Sequence, residues 1–182
     1  MLYLSFLVLN ALEMVWEVRV SSRNSAGLLQ RGAVEVAPAL LPIMAVMYMA
    51  MYIGSGWEYI HWPRHISAPW ALSFLSLFVL AKLLKLWAVS HLGRNWTMRV
   101  LIVPDSRVVV SGPYKWMKHP NYAAVLLEIA ATTLLGRCYW TFTTVSSAFI
   151  VALFFRIRAE ESALLSYADY ADQMNHKKRF LP

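Results

Sequence analysis

The sequence of residues 122–155, YAAVLLEIAATTLLGRCYWTFTTVSSAFIVALFF, determines how the chain folds. It contains two apolar stretches, 122–135 and 139–155, which are separated only by residues 136–138. At about 1.5 Å per residue these stretches are roughly 21 and 25 Å long, shorter than the ~30 Å hydrocarbon core of a bilayer. Because the connection is so short, we expect a tight helical hairpin rather than two independent spans.

Three further apolar stretches precede this hairpin, at residues 2–20, 38–60 and 69–91. Each is close to the roughly 20 residues that a helix needs to span a bilayer. The chain is 59% hydrophobic and only 15% charged, whereas a soluble domain carries about 25% charged residues. The sequence therefore predicts an all-α integral membrane protein with about five transmembrane helices. These form a single domain over residues 1–182, with three helices in 1–91 and a second module in 92–182.

The polar segments carry further structural predictions. We interpret residues 21–36 as a loop. Two β-branched runs, 99–103 and 107–111, flank a Pro-Asp turn and predict a small β-hairpin on the membrane surface. Residues 156–175 are charged and amphipathic, which predicts a helix that leaves the membrane.

The net charge of +7 indicates the side of the membrane on which each loop lies. In a membrane protein such a charge favours contact with anionic lipid headgroups rather than with nucleic acid. With five crossings, 13 of the 17 Lys and Arg residues fall on one side. Because basic loops face the cytoplasm, we expect the N-terminus outside and the C-terminus in the cytoplasm, with the protein in the cell membrane.

Several charged residues fall well within the apolar stretches, among them Glu13, Glu17, Lys82, Lys85 and Glu128. An unpaired charge costs about 2.5–3.5 kcal/mol near the bilayer centre. The two glutamates at 13 and 17 share one helix face, and so do the two lysines. This spacing favours ion pairs between the first and third helices. A substrate site, or lysines that extend to the interface, are the alternatives.

A first group of candidate site residues has the sequence GPYKWMKHPNY, residues 112–122. Proline suits the first turn of a helix, so we expect Pro120 to begin the fourth helix with His119 at its N-cap. The free backbone N–H groups of that turn favour an anion such as a ligand carboxylate. An interfacial belt of aromatic and basic residues would use the same residue types, so both interpretations stay open.

A second group has the sequence RIRAEE, residues 156–161. Adjacent helical residues point about 100° apart, so Glu160 and Glu161 cannot share one face. One of them is expected to reach a ligand while the other meets solvent. Two ordinary helix ion pairs, from Arg156 to Glu160 and from Arg158 to Glu161, are the alternative.

Together with LLSYADY and KKRFLP near the C-terminus, these two groups resemble the isoprenylcysteine carboxyl methyltransferase family over about residues 90–182. The usual pattern of that family is G-P-Y, R-H-P-x-Y, R-I-x-x-E-E and a terminal P-R-F-x-P. The N-terminal half more loosely resembles a bacterial branch associated with O-methylation of alkylpyrones. The resemblance implies methyl transfer from S-adenosylmethionine to a carboxylate or acidic hydroxyl of a lipophilic acceptor, such as an isoprenylcysteine or an alkylpyrone.

The resemblance also implies which residues form the site. Cofactor contacts are expected from Tyr114, His119, Pro120, Tyr122, Glu160, Glu161 and Tyr170, with Tyr167 as an alternative to the last. Arg156, Arg158 and Glu161 are the candidate catalytic residues, with an arginine expected to orient an anionic acceptor.

Two positions depart from the family pattern. Lys118 replaces an arginine, which removes a planar partner for bidentate binding of a carboxylate. Leu153 stands where eukaryotic members carry an arginine thought to engage the acceptor, so a different acceptor is expected.

The expected chemistry needs few specialised groups. Methyl transfer from a sulfonium is an in-line displacement, for which the protein supplies positioning and electrostatic stabilisation. An acceptor that is already anionic at pH 7 needs no strong base. We expect no metal site. The alternatives are a phospholipid N-methyltransferase, an NADPH-dependent sterol-type reductase with a similar C-terminal module, and a non-enzymatic membrane scaffold.

Overall fold

The computed structural model of the protein describes residues 1–104, 108–166, 170, 173–174 and 177–180. Its α-helices are α1 (Leu2–Gln30), α2 (Leu40–His61), α3 (Ala68–Leu92), α4 (Pro120–Leu135) and α5 (Tyr139–Leu164). Two short strands, β1 (Val34–Val36) and β2 (Val100–Ile102), and two 3-10 turns, Gly93–Asn95 and Gly112–Lys115, lie between the helices. The chain is thus mostly helical, as its composition predicts.

Contacts between helix ends show that the helices alternate in direction. Tyr3, at the start of α1, donates a hydrogen bond to the carbonyl of Thr132 near the end of α4 (2.9 Å). Trp70, at the start of α3, likewise donates to the carbonyl of Leu134 (2.7 Å). The bundle therefore has two ends. The His119 end holds the last residues of α1, α3 and α5 and the first residues of α2 and α4, and the Cys138 end holds the opposite helix termini.

Among the described residues, three helical segments are long and apolar enough to span a bilayer: Leu40–His61, Ala68–Asn95 and Tyr139–Leu164. Helix α4 is apolar but has 16 residues, or about 24 Å. Large apolar side chains are exposed along the spans, including Val46, Leu80 and Ile150. Such surfaces are unfavourable in water and suit lipid. The protein is an integral membrane protein, and five crossings stays a prediction because α1 and α4 are not among these three segments.

The hairpin of α4 and α5 is joined by residues 136–138, as predicted. A Cβ atom at Gly136 would lie 2.3 Å from the Tyr3 ring, so the connection can pass α1 this closely only as glycine. Glu58, at the end of α2, accepts hydrogen bonds from the backbone N–H (2.8 Å) and the hydroxyl (2.9 Å) of Thr141. These contacts satisfy free backbone groups at the start of α5.

Two predictions for the N-terminal half and the surface hairpin are wrong. Residues 21–30 continue α1 rather than forming a loop, because Ser21 and Leu28 are buried and the Ser21 hydroxyl accepts the Met98 backbone N–H (2.8 Å). Strand β2 pairs antiparallel with β1, with Val34 opposite Ile102, and not with residues 108–111. Residues 105–107 of the predicted turn lie outside the described residues.

The first part of the predicted C-terminal amphipathic helix is continuous with the membrane-spanning helix, whereas residues 165–166 form a turn and Tyr170, Gln173 and Met174 are again helical. Helix α5 continues without a break from the membrane-spanning stretch to Leu164. Its last turns therefore carry Arg156, Arg158, Glu160 and Glu161 on the same rigid element as the span. Residues 167–169, 171–172 and 175–176 of the predicted helix lie outside the described residues.

Glutamates and lysines of α1, α3 and α4 form one continuous chain of ion pairs inside the bundle. Lys82 contacts Glu13 at 2.7 Å and Glu128 at 2.6 Å. Lys85 contacts Glu17 at 2.6 Å and Glu128 at 3.2 Å. The predicted pairing between the first and third helices is confirmed, and Glu128 extends it to α4. Because each ammonium lies between two carboxylates, this network compensates charges that would be costly in lipid.

Candidate active site

A cavity of about 210 Å³ lies at the His119 end of the bundle. Its walls come from the last turn of α1, the segment from Asn95 through β2, residues 108–109, the start of α4 and the end of α5. Five of the seven predicted cofactor residues line it: Tyr114, His119, Tyr122, Glu160 and Tyr170. The other two, Pro120 and Glu161, lie behind this lining.

The start of α4 positions the first of these residues. Pro120 is the first helical residue, and His119 occupies the N-cap position, as predicted. The His119 carbonyl accepts the first helical hydrogen bond, from Ala123 (3.1 Å). The His119 side chain does not cap the helix. Its Nε2 atom instead lies 3.1 Å from a carboxylate oxygen of Glu161 on α5.

A second pair crosses the same two helices. The Tyr122 hydroxyl donates to Glu160 at 2.6 Å. The rings of His119 and Tyr122 stack with centroids 5.2 Å apart, because residues three apart share a helix face. Both glutamates therefore engage α4, but only Glu160 lines the cavity. The alternative ion pairs within α5 do not form among the described residues.

Arg156 stabilises the position of the Tyr122 side chain. Its Nε atom donates to the Tyr122 hydroxyl (2.9 Å), a second nitrogen donates to the Met98 carbonyl, and the third contacts the Met44 sulfur (3.7 Å). The side chain is buried and does not line the cavity. Its guanidinium is thus committed to protein groups, which keeps the Tyr122 ring in place.

Arg158 and Leu153 lie away from the cavity. Arg158 is exposed, and its guanidinium lies 4.6 Å from the centre of the Phe154 ring. Leu153 is buried in the apolar core shared by α2, α4 and α5. The structure therefore does not bring either residue to the cavity that the tyrosines and Glu160 form.

The C-terminal segment 177–180 contacts Glu161 and the backbone at the start of α4. The Arg179 guanidinium contacts Glu161 at 2.6 Å, and the His119 backbone N–H donates to the Arg179 carbonyl (3.0 Å). The Lys118 backbone N–H donates to the Lys178 carbonyl at the same distance. Sequence reasoning missed these contacts, although the KKRFLP motif was the signal that could have found them.

The turn before α4 places Tyr114 on the cavity wall. Gly112 has a φ of 58°, and a Cβ atom there would lie 2.5 Å from the His91 ring, so glycine is required. Tyr114 packs with Tyr170 in a buried apolar cluster. Burial, together with the nearby Glu160 carboxylate, raises the pKa of Tyr114, so the phenol stays neutral at physiological pH.

Trp96 and Asn121 also line the cavity, although the sequence analysis assigned a role to neither; Asn121 lies within the first candidate group and Trp96 outside both. The indole N–H of Trp96 and the side-chain carbonyl of Asn121 are buried and lack a hydrogen-bond partner among the described residues. Asn121 is the variable position of the H-P-x-Y pattern, and Trp96 belongs to no motif. Neither position therefore carried a sequence signal. Within the described residues, no group of His, Cys, Asp and Glu side chains could hold a metal ion.

Comparison with known proteins identifies the family. The isoprenylcysteine carboxyl methyltransferase (ICMT) family matches residues 74–166, which include α4, α5 and both glutamates of the site. The uncharacterized protein YpbQ of Bacillus subtilis (strain 168) is 34% identical over 152 residues, covering 84% of this chain and 90% of YpbQ. An uncharacterized protein of Haemophilus influenzae is 21% identical over 150 residues, covering 82% of this chain and 87% of its own length. The match across half of the chain and the similarity to YpbQ show that this chain belongs to the isoprenylcysteine carboxyl methyltransferase family, whose members are membrane methyltransferases.

Proposed function

We propose that this protein transfers a methyl group from S-adenosylmethionine to a carboxylate or acidic hydroxyl oxygen of a lipophilic acceptor. The observation that carries the proposal is the pair of contacts between α4 and α5, from His119 to Glu161 and from Tyr122 to Glu160. These contacts join two family motifs at one cavity. An isoprenylcysteine or an alkylpyrone would suit such a site.

The residues at the cavity fit this cofactor. Tyr114 and Tyr122 provide aromatic faces, which attract a cation such as a sulfonium. Glu160 uses one carboxylate oxygen for Tyr122, which leaves the other for a hydroxyl or ammonium group. Lys118 lines the cavity and forms no ion pair with the described carboxylates, so its ammonium suits a ligand carboxylate.

The residues of this chain would contribute mainly by positioning. S-adenosylmethionine, when bound, supplies an electrophilic methyl group on a sulfonium. Arg156 holds the Tyr122 hydroxyl on the cavity wall, and Arg179 and His119 hold Glu161, so contacts within the protein position both groups. Preorganised groups of this kind avoid reorganisation during the reaction. The acceptor oxygen would bond to the methyl carbon as the carbon–sulfur bond breaks, and S-adenosylhomocysteine would leave as a neutral thioether. An anionic acceptor would release no proton.

Apolar walls support a lipophilic acceptor that enters from the bilayer. Leu28, Leu92, Val100, Ile102 and Leu164 line the same cavity as the polar groups. We propose that the His119 end lies in the cytoplasm, with the N-terminus outside and five crossings of the cell membrane. The distribution of 13 of 17 basic residues supports this orientation.

Calorimetry on the purified protein in detergent tests the cofactor assignment. We expect S-adenosylhomocysteine to bind and NADPH not to bind. Tight NADPH binding without S-adenosylhomocysteine binding would favour a reductase, and binding of neither would favour a scaffold.

A further inference from the structure

Trp96 and Asn121 both line the cavity, and each has a buried polar atom without a hydrogen-bond partner among the described residues. The indole N–H of Trp96 can only donate a hydrogen bond, and the side-chain carbonyl of Asn121 can only accept one. Both atoms are buried and unpartnered among the described residues, and the Trp96 side chain is 4% exposed. A buried polar group without a partner destabilises the protein, so a ligand in this cavity that supplied the missing partners would remove that cost.

Trp96 requires a hydrogen-bond acceptor and Asn121 requires a donor, so the ligand must offer both. A carboxylate or enolate acceptor offers only hydrogen-bond acceptors, so it would satisfy Trp96 but not the Asn121 carbonyl. The amino-acid part of S-adenosylmethionine carries both a donor and an acceptor, but both are ionised. Buried charges require counter-charges, and the cavity supplies these at Glu160 and Lys118.

The cavity wall also contains buried apolar side chains. Leu28 and Val100 are buried and line the cavity. The Asn24 side chain, one helical turn before Leu28, donates a hydrogen bond to the Trp96 backbone carbonyl (2.8 Å), which ties the Trp96 backbone to the end of α1. A flat, uncharged heteroaromatic ring with a donor and an acceptor on its edge suits such a site.

We infer that Trp96 and Asn121 bind the adenine base of the cofactor. Trp96 would donate to a ring nitrogen, and Asn121 would accept from the exocyclic amino group. This inference rests on the proposed use of S-adenosylmethionine and adds the residues that recognise its base.

A change in the ligand tests the inference without a change in the protein. S-inosylhomocysteine differs from S-adenosylhomocysteine by an oxygen in place of the exocyclic amino group and by a proton on N1. It therefore presents an acceptor where Asn121 requires a donor, and its N1–H is a donor at a ring nitrogen that is an acceptor in adenine. We expect calorimetry on the wild-type protein to show at least about 10-fold weaker binding of the inosyl compound.

Three variants separate recognition of the base from general stability. Asn121→Ala should weaken binding of S-adenosylhomocysteine about 10-fold and leave binding of the inosyl compound nearly unchanged. Trp96→Phe keeps an aromatic ring but removes the N–H, and should weaken binding of the adenosyl compound by a similar factor. Ser55→Ala removes another buried, unpartnered group, which does not line this cavity, and should keep the wild-type ratio.

The outcomes distinguish this inference from the proposed function. If the wild-type protein binds S-adenosylhomocysteine but does not discriminate against the inosyl compound, the base is recognised elsewhere and the inference is wrong. The same conclusion follows if Asn121→Ala, still folded by thermal unfolding, keeps the wild-type ratio. If the wild-type protein binds neither compound, the proposed function fails together with the inference.

Discussion

The Tyr122 hydroxyl donates to the Glu160 carboxylate at 2.6 Å, although 38 positions separate the two residues in the chain. The tight connection at residues 136–138 makes this contact possible, because it returns the end of α5 to the level of the start of α4. The same hydroxyl accepts a hydrogen bond from Arg156 at 2.9 Å. One phenol thus links a buried guanidinium to a cavity carboxylate.

Removing this hydroxyl should therefore damage the site more than the fold. Tyr122→Phe leaves Glu160 without its donor and Arg156 without one acceptor. Hydrogen bonds to charged groups contribute about 1.5–3 kcal/mol, so we expect S-adenosylhomocysteine affinity to fall about 10- to 100-fold by calorimetry. Tyr139→Phe, at the exposed start of α5 and away from the cavity, is the control. Equal affinity in Tyr122→Phe and wild type would show that Tyr122 does not shape the site.

Breaking the ion-pair network inside the bundle should lower the stability of the protein and leave its cofactor affinity unchanged. Lys85→Met leaves Glu17 and Glu128 without their shared cation in a buried environment. Removing one member of a buried pair costs about 3–5 kcal/mol. We expect a clear fall in the thermal unfolding temperature in detergent, with cofactor affinity of the folded fraction unchanged. Glu13→Gln should have a smaller effect, since the Glu13 side chain is 40% exposed. A stable Lys85→Met variant that loses binding would instead make the network part of the site.

The helical hairpin depends on one close approach. At Gly136 a Cβ atom would lie 2.3 Å from the Tyr3 ring, whereas at Gly27 it would meet nothing within 4 Å. Overpacking costs about 1–3 kcal/mol, so Gly136→Ala should lower stability. Gly27→Ala lies within α1 and should raise stability by about 0.5–1 kcal/mol. Thermal unfolding of the two variants measures the contrast, and equal stability of both would show that α1 does not pack against the hairpin tip.

The proposed orientation can be measured by cysteine labelling in intact cells. Ser162→Cys lies at the His119 end and His65→Cys at the Cys138 end, and both positions are exposed. We expect an impermeant maleimide to label only His65→Cys. The native Cys138 should not be labelled, because it is buried and burial raises the pKa of its thiol to about 11. Labelling of Ser162→Cys from outside would reverse the orientation.

Local sequence signals predicted the bounds of α2, α3 and α4 to within two residues. Long apolar stretches determine where these helices run, and Pro120 and Gly136 determine where α4 begins and ends. The motifs also placed Tyr122 and Glu160 at one end of the bundle, because a short connection makes α4 and α5 antiparallel neighbours.

The missed features depend on contacts between distant segments. Helix α1 extends beyond its apolar stretch because Ser21 contacts Met98, and β1 forms because Val34 meets Ile102. The sequence of residues 21–36 contains no pattern that predicts contacts with Met98 or Ile102. The same reason applies to Arg179, which reaches Glu161 through the C-terminal segment.

Methyl transfer itself tests the central claim most directly. The purified protein, reconstituted in lipid, would be incubated with methyl-labelled S-adenosylmethionine and separately with an isoprenylcysteine, an alkylpyrone and phosphatidylethanolamine. We expect the label to appear as a methyl ester or methyl ether on one of the first two acceptors, and Glu160→Ala to abolish the transfer. Label on the nitrogen of phosphatidylethanolamine, or no transfer by a protein that binds S-adenosylhomocysteine, would contradict O-methylation of an acidic lipophilic acceptor.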